Sequence, residues 1–427
     1  MKVEERAIEL LKESFVCNRC LGRQFGNLLS GYSNEKRGKI IRQFLAFLID
    51  SGEKVDVELS NFYGIKFRNV KIKPKKPKKC KVCKNFFLEK IDKTAKKVVK
   101  ELKGVEFNTF KIGSIVSDEL LKTEEMIWDK IGIEFCESIK SEINRELGKR
   151  IEKIAKKEFA QKNPDVTAIV DMKRGKVGIE VRSLYIIGAY QKLKRGIPQT
   201  KWICRHCDGK GCKRCKGKGK MYPTSVQETI EKPFLKSGKS EESAFHGMGR
   251  EDIDARCLGY RPFVIEVVKP RKRKIDLKRI GKQVNKSGKV KVRGLKFTTK
   301  GTIKKLKFAK VDKTYLATVG FKRDIDKKRL KELRKLIKES ILQKTPLRVL
   351  HRRADRFRKR SVKKISWKVV GKRKLELRIT GETGLYIKEL ITGDDGRTKP
   401  NVSELIDNEA RKITLDVIKV HSEKLKL

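Results

Sequence analysis

One glycine-flanked turn carries the densest group of side chains that could do chemistry. In the stretch HGMGREDIDARCLGYRPFVIEV, Arg250 stands two residues before Asp252, and Asp254 follows two residues after it. A carboxylate beside an arginine can act as a nucleophile or as an acid–base group when it is partly removed from water. Alternating charges that lead into an apolar strand are usually a solvated edge, so the residue types alone leave catalysis open. On this pattern Asp254 remains a rival to Asp252.

Eight of the ten cysteines form four Cys-x-x-Cys pairs, the spacing at which two thiolates chelate one Zn²⁺ ion. We predict two structural zinc sites, the first from the first two pairs and the second from the last two: Cys17, Cys20, Cys80 and Cys83, then Cys204, Cys207, Cys212 and Cys215. A redox motif is the alternative for a single pair, and which pairs share a metal stays open. His206 could replace a cysteine in the second site. Cys136 and Cys257 are left over, and we expect both to be small buried residues.

The charge balance indicates a polyanionic partner. Lys and Arg number 109 against 53 Asp and Glu, which gives a formal net charge of +56. Such a potential attracts nucleic acid first and an anionic membrane surface second, whereas a lysine-rich proteome would raise Glu as well. Residues 269–310 contain 18 Lys or Arg and one acid, and residues 352–364 contain eight and one. We expect both runs to contact phosphates, the first as mobile loops beside a catalytic cleft.

The location of the protein is predicted from what its sequence lacks. No window of about 18 apolar residues could span a bilayer, and the N-terminus has no secretory signal. We therefore expect a cytoplasmic protein whose cysteines are thiols or metal ligands rather than disulfides.

The apolar periodicity predicts a chain of mixed helices and strands. Helices are predicted at residues 3–13, 36–51, 115–131, 134–160, 324–340 and 401–408. The second of these helices should bury Ile40, Ile41, Phe44, Leu45 and Phe47. Strands are predicted at residues 166–171, 177–184, 263–268, 289–292, 314–319, 366–370 and 375–380. Strands interleaved with helices, without regular βαβ spacing, indicate an α+β fold with a mixed sheet.

Several segments resemble one enzyme family. The residues GRED at 249–252 resemble the G-R-x-D signature of pseudouridine synthases, and GREDIDARCLGYRPFVIEV is similar to the archaeal and eukaryotic type of tRNA pseudouridine-54/55 synthase. The same type is resembled by CNRCLGRQFG, KRGIPQTKWICRHCDGKGC, GKMYPTSVQETI, TPLRVLHRRADRFRKR and GLYIKELITGDDGRTKPNVSELI, so the resemblance spans nearly the whole chain. It implies an α+β (mixed α/β) fold in four parts: an N-terminal zinc-binding region (1–94), a THUMP-like RNA-binding α/β domain (95–200), a Cys-rich hinge knot (201–219) and a pseudouridine synthase catalytic domain with a mixed or antiparallel sheet (220–427).

The resemblance also implies a reaction and the residues that perform it. Pseudouridylation breaks the N1–C1′ bond of uridine, rotates the base and joins C5 to C1′, so no organic cofactor is required. Asp252 is the implied nucleophile, Lys388 in GLYIKEL is its implied basic partner, and Arg250 would contact it or hold the phosphate of the flipped nucleotide. Tyr315 in KTYLATV would stack on the target uracil, with Tyr386 as a second substrate contact. By pattern alone, both tyrosines would be ordinary sheet or core residues.

We therefore predict a monomeric isomerase that acts on tRNA and forms pseudouridine at T-loop positions 54 and 55, although one position alone remains possible. A non-catalytic, zinc-containing RNA-binding protein would fit the charge and the cysteines equally well. Such a protein would not account for the arginine–aspartate turn together with Tyr315, Tyr386 and Lys388. A THUMP-bearing methyltransferase or sulfur transferase would need a glycine-rich nucleotide-binding turn, and GKGCKRCKGKGK carries metal-type cysteines instead.

Overall fold

The computed structural model describes residues 1–423 and residue 425, and of Arg352 it describes the backbone only. The chain divides into two compact units, Met1–Arg182 and Ser183–Leu427. Residues 183–200, which we assigned to the accessory domain, lie in the second unit because their strand pairs within its sheet. The four domain boundaries expected from the sequence remain a prediction. Within the described residues, no helix is both long and apolar enough to cross a bilayer.

The first unit combines helices with a small sheet. Its helices are α1 (Val3–Leu11), α2 (Asn18–Arg23), α3 (Asn34–Asp50), α4 (Ile91–Glu101), α5 (Asp118–Ile131) and α6 (Ile139–Ala155). Its strands are β1 (Thr109–Ile115), β2 (Glu158–Phe159), β3 (Val166–Asp171) and β4 (Lys176–Val181). The order in the sheet is β2-β1-β3-β4, with β1 parallel to both neighbours and β4 antiparallel to β3. The basic segment before α4 is irregular up to the second cysteine pair, as predicted.

The core of the first unit contains the apolar stripe of helix α6 and the alternate apolar residues of strand β3. In α6, four residues that recur every fourth position are fully buried: Ile139, Ile143, Leu147 and Ile151. This is the stripe expected of a helix that covers a sheet. In β3 every second residue is buried, as in a strand with one covered face. The helices predicted at 115–131 and 134–160 and the strand at 166–171 are confirmed apart from their ends.

Helix α3 buries a different face from the one that its apolar residues predicted. Ile40, Phe44 and Phe47 are between 42% and 75% exposed, so the prediction of their burial was wrong. The buried face carries Arg42, whose guanidinium donates a hydrogen bond of 2.5 Å to the backbone oxygen of Asn61. Burial of a cation is tolerated only where its donors are satisfied, and these polar contacts select the inward face of the helix.

The second unit contains the larger sheet. Its helices are α7 (Val226–Gly238), α8 (Leu277–Asn285), α9 (Lys300–Phe308), α10 (Lys335–Lys338), α11 (Ile387–Thr392) and α12 (Val402–Leu405). Its strands are β5 (Leu184–Lys192), β6 (Glu242–Gly247), β7 (Arg256–Val268), β8 (Val290–Thr298), β9 (Lys313–Phe321), β10 (Ile341–Lys344), β11 (Phe357–Arg360), β12 (Val362–Gly371), β13 (Lys374–Gly381), β14 (Thr398–Lys399) and β15 (Ala410–Val420).

The large sheet is mixed, as predicted. Its order is β12-β13-β9-β15-β7-β5-β8, and β6 pairs with β7. Among the described residues, β15 and β7 run parallel and the other paired strands of this sheet are antiparallel. A smaller antiparallel sheet has the order β11-β10-β14. The strands predicted from 263 to 380 are all present as parts of longer strands, although β8 begins at Val290, one residue after the predicted start.

Three predictions about the second unit were wrong. Residues 269–310, expected as mobile loops, form α8, β8 and α9, because apolar residues at helical and strand spacing pack between the lysines. The helix predicted at 324–340 is a 3₁₀ turn, Arg329–Arg334, followed by the single turn of α10. The spacing of three between Leu330, Leu333 and Leu336, all buried, suits that tighter helix. The helix predicted at 401–408 contains only α12.

Strand β7 is the rigid centre of the second unit. Phe263, Ile265 and Val267 face one core cluster, and Val264 faces another on the opposite side of the sheet. A strand buried on both faces between paired neighbours has little freedom to move. The turn that joins β6 to β7 is therefore held at both ends, and this turn carries Asp252.

Candidate active site

The backbone of the Asp252 turn needs glycine at one position. Gly249 has a φ of +73°, a conformation that residues with a side chain rarely adopt. A Cβ atom at this position would also lie 3.3 Å from Nη1 of Arg261. The turn closes where the Ala255 amide donates a hydrogen bond of 3.2 Å to the Asp252 carbonyl oxygen.

Glu251, the residue before Asp252, anchors the turn inside the protein. Its buried carboxylate lies 3.1 Å from Nε of Arg261 and accepts hydrogen bonds of 2.9 and 3.1 Å from the Tyr190 hydroxyl. Nε2 of Gln199 donates to that hydroxyl at 2.7 Å and to the Gly249 carbonyl at 2.9 Å. A buried ion pair is tolerable only with such partners, and with them it fixes one geometry. Glu251 is buried at the base of a cleft, and Asp252 beside it is half-buried in the same cleft.

A buried lysine holds the backbone of the same turn. Nζ of Lys192, at the end of β5, donates to the carbonyl oxygens of Ile197, Asp252 and Ile253 at 2.9, 2.9 and 3.1 Å. The Gly196 amide donates a further hydrogen bond of 2.9 Å to the Ile253 carbonyl. Burial lowers the pKa of Lys192 below its ordinary value, and the three carbonyl oxygens take the place of its water.

Two cations contact the Asp252 carboxylate. Nη1 of Arg348 lies 3.0 Å from Oδ1, and Nζ of Lys388 lies 3.6 Å from Oδ2. The side chain of Asp252 is 31% exposed, so it is reachable from solvent yet partly desolvated. Arg348 is held in turn by Glu389, whose buried carboxylate lies 2.5 Å from Nε. Two cations on one carboxylate hold it in a fixed position in the cleft, as a nucleophile requires.

Asp254 lies in a wetter environment than Asp252. Its side chain is 63% exposed, and its oxygens lie 2.7 and 2.9 Å from Nζ of Lys388. Burial acts to raise the pKa of Asp254, but the hydrogen bond and the charge of Lys388 outweigh it, so that pKa lies below its ordinary value. Lys388 thus bridges the two carboxylates, with its shorter contact to the more exposed one.

The residues that the sequence singled out line one cleft. We call it the Asp252 cleft, a cavity of about 460 Å³ whose lining includes Arg250, Asp252, Tyr315, Tyr386 and Lys388. The guanidinium of Arg250 lies over the Trp202 ring, 5.1 Å from its centre, at the margin of the cleft. A volume of this size is ordinary for a pocket that encloses one small ligand.

The two tyrosines enter the cleft from different elements. Tyr315 lies on β9 beside β13 and β15, and burial of its hydroxyl raises its pKa to about 12. Tyr386 stands at the start of α11, where Gln343 bonds both its amide and its carbonyl, at 2.9 and 3.0 Å. Its hydroxyl accepts a hydrogen bond of 2.7 Å from Arg353. Both side chains are half-buried rather than enclosed in the core.

Sequence reasoning missed Arg348, the cation with the shorter contact to Asp252. It lies in TPLRVLHRRADRFRKR, where it is one arginine among many and no spacing distinguishes it. A usable signal was Glu389, the single acid of the largely apolar segment GLYIKELI, because a buried carboxylate needs a cation. Lys192 was missed for the same reason as Arg348, since KLKRG offers three basic residues and only one of them is buried.

The thiols of the four cysteine pairs come together in two groups, as predicted. Cys17, Cys20, Cys80 and Cys83 form one group in the first unit, and Cys204, Cys207, Cys212 and Cys215 form another in the second, with all Sγ atoms of a group within 4.8 Å. Measured Sγ–Sγ separations run from 3.7 to 4.0 Å. Four sulfurs about 2.3 Å from a tetrahedral zinc ion lie about 3.8 Å from one another, so both groups fit that metal.

Backbone amides support the sulfurs of the second group. The amides of Gly211, Cys212 and Gly219 donate to Sγ atoms at 3.2 Å, the pattern of a knuckle that binds metal thiolates. His206 is exposed and lies outside the group of four thiols. Of the leftover cysteines, Cys257 is buried as expected, and burial raises its pKa to about 11, whereas Cys136 is only half-buried.

Two family models match this chain. The model described as Pus10, C-terminal, matches residues 185–421, more than half of the chain and most of the second unit. The model described as Pus10 THUMP domain, archaeal, matches residues 94–171. The accessory domain predicted from the sequence is thus of the THUMP type.

Curated relatives match over nearly the whole length. A tRNA pseudouridine synthase Pus10 of Methanothrix thermoacetophila is 38% identical over 97% of this chain and 93% of its own. The proteins of the same name from Methanocaldococcus jannaschii and Pyrococcus furiosus are each 39% identical, over 98% and 97% of this chain and 94% and 97% of their own. With a family model over most of the second unit and full-length relatives at this identity, the chain belongs to the Pus10 family of tRNA pseudouridine synthases.

Proposed function

We propose that this enzyme converts uridine to pseudouridine at positions 54 and 55 of the tRNA T-loop, with Asp252 as its nucleophile. The observation that carries the proposal is the Asp252 carboxylate, which lies in a cleft between two cations and in company with two tyrosines. The reaction is an isomerisation: the N1–C1′ bond breaks, the base rotates and C5 bonds to C1′. The proton of C5 is released and N1 gains one, so the atoms balance without a cofactor.

Arg348 and Lys388 hold the Asp252 carboxylate in position, with contacts of 3.0 and 3.6 Å. Arg348 is itself kept in place because it is also paired with buried Glu389. Lys388 carries the role that the family resemblance implied, and Arg348 is added to it from the geometry of the cleft.

Tyr315 and Tyr386 contact the uracil, and Arg250 holds the phosphate of the flipped nucleotide. Enzymes that act on a base inside RNA extrude it from its stack and hold it against aromatic side chains. Two half-buried tyrosines in a cleft of about 460 Å³ suit that task. Arg250 at the margin of the cleft, over Trp202, is placed for the backbone of the RNA rather than for its base.

The rival function is RNA binding without catalysis. Zinc-type cysteines and positive charge favour it as strongly as they favour an enzyme, and the buried support of the Asp252 turn distinguishes the two. A solvated loop of a binding protein needs no buried Glu251–Arg261 pair and no Lys192 beneath its backbone. Such a supporting shell is typical of a site whose geometry must be kept within fractions of an ångström.

Mapping the modified positions tests the choice of substrate. Unmodified tRNA transcripts would be treated with the enzyme, and pseudouridine would be located by carbodiimide adducts that stop reverse transcription. We expect stops at positions 54 and 55, and loss of one stop when the uridine at that position is replaced by cytidine. Modification confined to uridines outside the T-loop would contradict the proposal, and modification of one T-loop position alone would narrow it.

We propose that both thiol groups bind structural zinc, which supplies no step of the reaction and holds the surrounding chain in place. Purified protein should contain two zinc ions per chain, and Cys20→Ser and Cys204→Ser should each lose one, whereas Cys257→Ser should keep both. Metal analysis by mass spectrometry checks this, and equal zinc content in all four proteins would contradict it. An enzyme that modifies tRNA and carries reduced thiols is expected in the cytoplasm, and we propose a monomer there.

A further inference from the structure

A second cavity adjoins the Asp252 cleft and shares two of its walls. We call it the knot cleft: it has a volume of about 640 Å³, and its lining includes Trp202, Ile203, Arg205, Arg214, Met221 and Arg250. Trp202 and Arg250 also line the Asp252 cleft. Nothing in the chemistry proposed so far uses the knot cleft, and its volume lies within the range of about 300–1,000 Å³ that is usual for small-ligand sites.

The second cysteine group and the residues beside it form one side of this cleft. Strand-like contacts join its two ends, with the Cys204 amide bonded to the Gly219 carbonyl and the Met221 amide bonded to the Trp202 carbonyl, both at 2.9 Å. Trp202 and Met221 are therefore side by side, one entering and one leaving the cysteine knot. Lys220 fastens the knot to α7 through an ion pair of 2.5 Å with Glu228. The walls of the cleft are thus fixed relative to the sheet rather than borne on a free loop.

The surface of the knot cleft is apolar and aromatic inside a basic surround. Ile203 and Met221 are 54% and 48% exposed. The Arg250 guanidinium lies 5.1 Å from the centre of the Trp202 ring, and the Tyr222 ring packs against Trp202 in a T-shaped contact with the ring centres 5.5 Å apart. Residues 201–220 contain eight Lys or Arg and a single acid. An aromatic platform in a positive groove is the usual site for an unpaired nucleotide, which stacks its base and pairs its phosphate.

We propose that the knot cleft binds an unpaired nucleotide directly next to the target uridine in the same RNA. Its base stacks on Trp202, and its phosphate is held by Arg205 or Arg214, next to the phosphate of the flipped nucleotide that Arg250 holds. This inference rests on the proposed function, because a uridine drawn into the Asp252 cleft leaves its neighbours unstacked and in need of a new surface. The shared wall of Trp202 and Arg250 gives those two nucleotides adjacent sites.

A thermodynamic cycle tests the stacking partner. Wild-type enzyme and Trp202→Ala would be assayed with a T-loop stem-loop RNA, either intact or with an abasic site on the 5′ or the 3′ side of the target uridine. If the neighbouring base stacks on Trp202, each single change should weaken RNA binding about 5- to 100-fold. Together the two changes should cost little more than one of them. Trp202→Phe should keep most of the binding, because it keeps a ring.

A matched pair of charge variants tests the phosphate contacts. Arg205→Ala/Arg214→Ala removes two charges that line the knot cleft, and Lys213→Ala/Lys218→Ala removes two from the same knot outside it. We expect the first pair to raise KM several-fold more than the second, with zinc content and melting temperature alike in both. Equal effects of the two pairs would overturn the phosphate contacts, since general attraction would explain them.

The outcomes separate this inference from the function on which it rests. If wild-type enzyme forms no pseudouridine in the T-loop, the proposed function fails first. If it does, while the abasic site and Trp202→Ala weaken binding independently, the stacking partner is wrong. The abasic RNA with wild-type enzyme needs no altered protein, so full binding at both abasic positions overturns the inference even if Trp202→Ala does not fold.

Discussion

At the scale of single residues, the cleft distinguishes two carboxylates that stand two positions apart. The side chain of Asp252 contacts Arg348 and Lys388 and is 31% exposed. The side chain of Asp254 is 63% exposed, and its carboxylate is paired with Lys388. The residue types could not separate them, and only the register of the G-R-x-D resemblance favoured Asp252. The contacts of the two carboxylates now separate them, because Arg348 contacts Asp252 at 3.0 Å.

Arg348 provides the sharpest test of the electrostatic part of the account. Arg348→Met should lower kcat by about 10²–10³-fold, the usual cost of one preorganised electrostatic contact. It should also destabilise the fold by about 2–3 kcal/mol, because Glu389 is left buried without its cation. Adding Glu389→Gln should restore the stability but not the activity. Steady-state kinetics and denaturant unfolding measure the two effects, and recovery of activity in the double variant would contradict the role of Arg348.

Lys313 lines the Asp252 cleft, and its protonation should make the folding stability depend on pH. It is 7% exposed, and burial together with the charge of Arg261 lowers its pKa to about 8. Between about pH 8 and pH 10.5 the unfolded chain keeps this proton and the folded chain has lost it, so folding stability gains with rising pH from this group. Compared with Lys313→Met, the wild type should gain up to about 3 kcal/mol of unfolding free energy across that window. If the unfolding free energies of the two proteins changed with pH in parallel, the lowered pKa of Lys313 would be contradicted.

At the scale of elements, the Asp252 turn is positioned by a neighbouring strand and the segment that follows it. Lys192 at the end of β5, together with Gly196 and Gln199 after it, donates hydrogen bonds to carbonyl oxygens of the turn. The acceptors are the carbonyl oxygens of Gly249, Asp252 and Ile253. Backbone carbonyls held by buried donors leave the turn one conformation. The rigid β7, into which the turn leads, fixes its other end.

Lys192→Met should therefore act through position rather than through contact with RNA. Loss of the ammonium leaves two carbonyl oxygens of the turn without this donor, which should destabilise the protein by about 1–3 kcal/mol. Displacement of Asp252 should lower kcat by about 100-fold, with KM for tRNA little changed. Hydrogen exchange of the amides in the turn should become faster. A variant that loses tRNA affinity while its turn keeps its protection would contradict a positioning role.

The elements show where sequence patterns suffice and where they fail. The second half of β7 was predictable from its run of apolar and β-branched residues, and β9 was predictable from its alternation. The inward face of α3 was not predictable, because it is set by hydrogen bonds that Arg42 donates to Asn18 and Asn61, which lie outside the helix. The basic stretch 269–310 concealed α8 and α9, since its lysines lie on exposed faces and outnumber the apolar residues that set the structure.

At the scale of the whole molecule, charge and chemistry are separate properties. A net charge of +56 is spread over both units and attracts the phosphates of tRNA whatever the state of the cleft. The charge, the two thiol groups and Asp252 with its expected partners could be read from the sequence, because each depends on residue type and short spacing. The sequence could not identify Arg348, Lys192 or the knot cleft, which depend on contacts between residues far apart in the chain.

The central claim is that Asp252 is the nucleophile of a tRNA pseudouridine synthase, and loss of the C5 hydrogen measures it most directly. Transcripts labelled with tritium at C5 of uridine would be incubated with wild type, Asp252→Ala and Asp254→Ala, with tRNA affinity measured in parallel. We predict tritium release by wild type and by Asp254→Ala. Asp252→Ala should release none while it binds tRNA as tightly as the wild type does. Release by Asp252→Ala would contradict the assignment of the nucleophile, and tight binding without release by the wild type would contradict the enzyme itself.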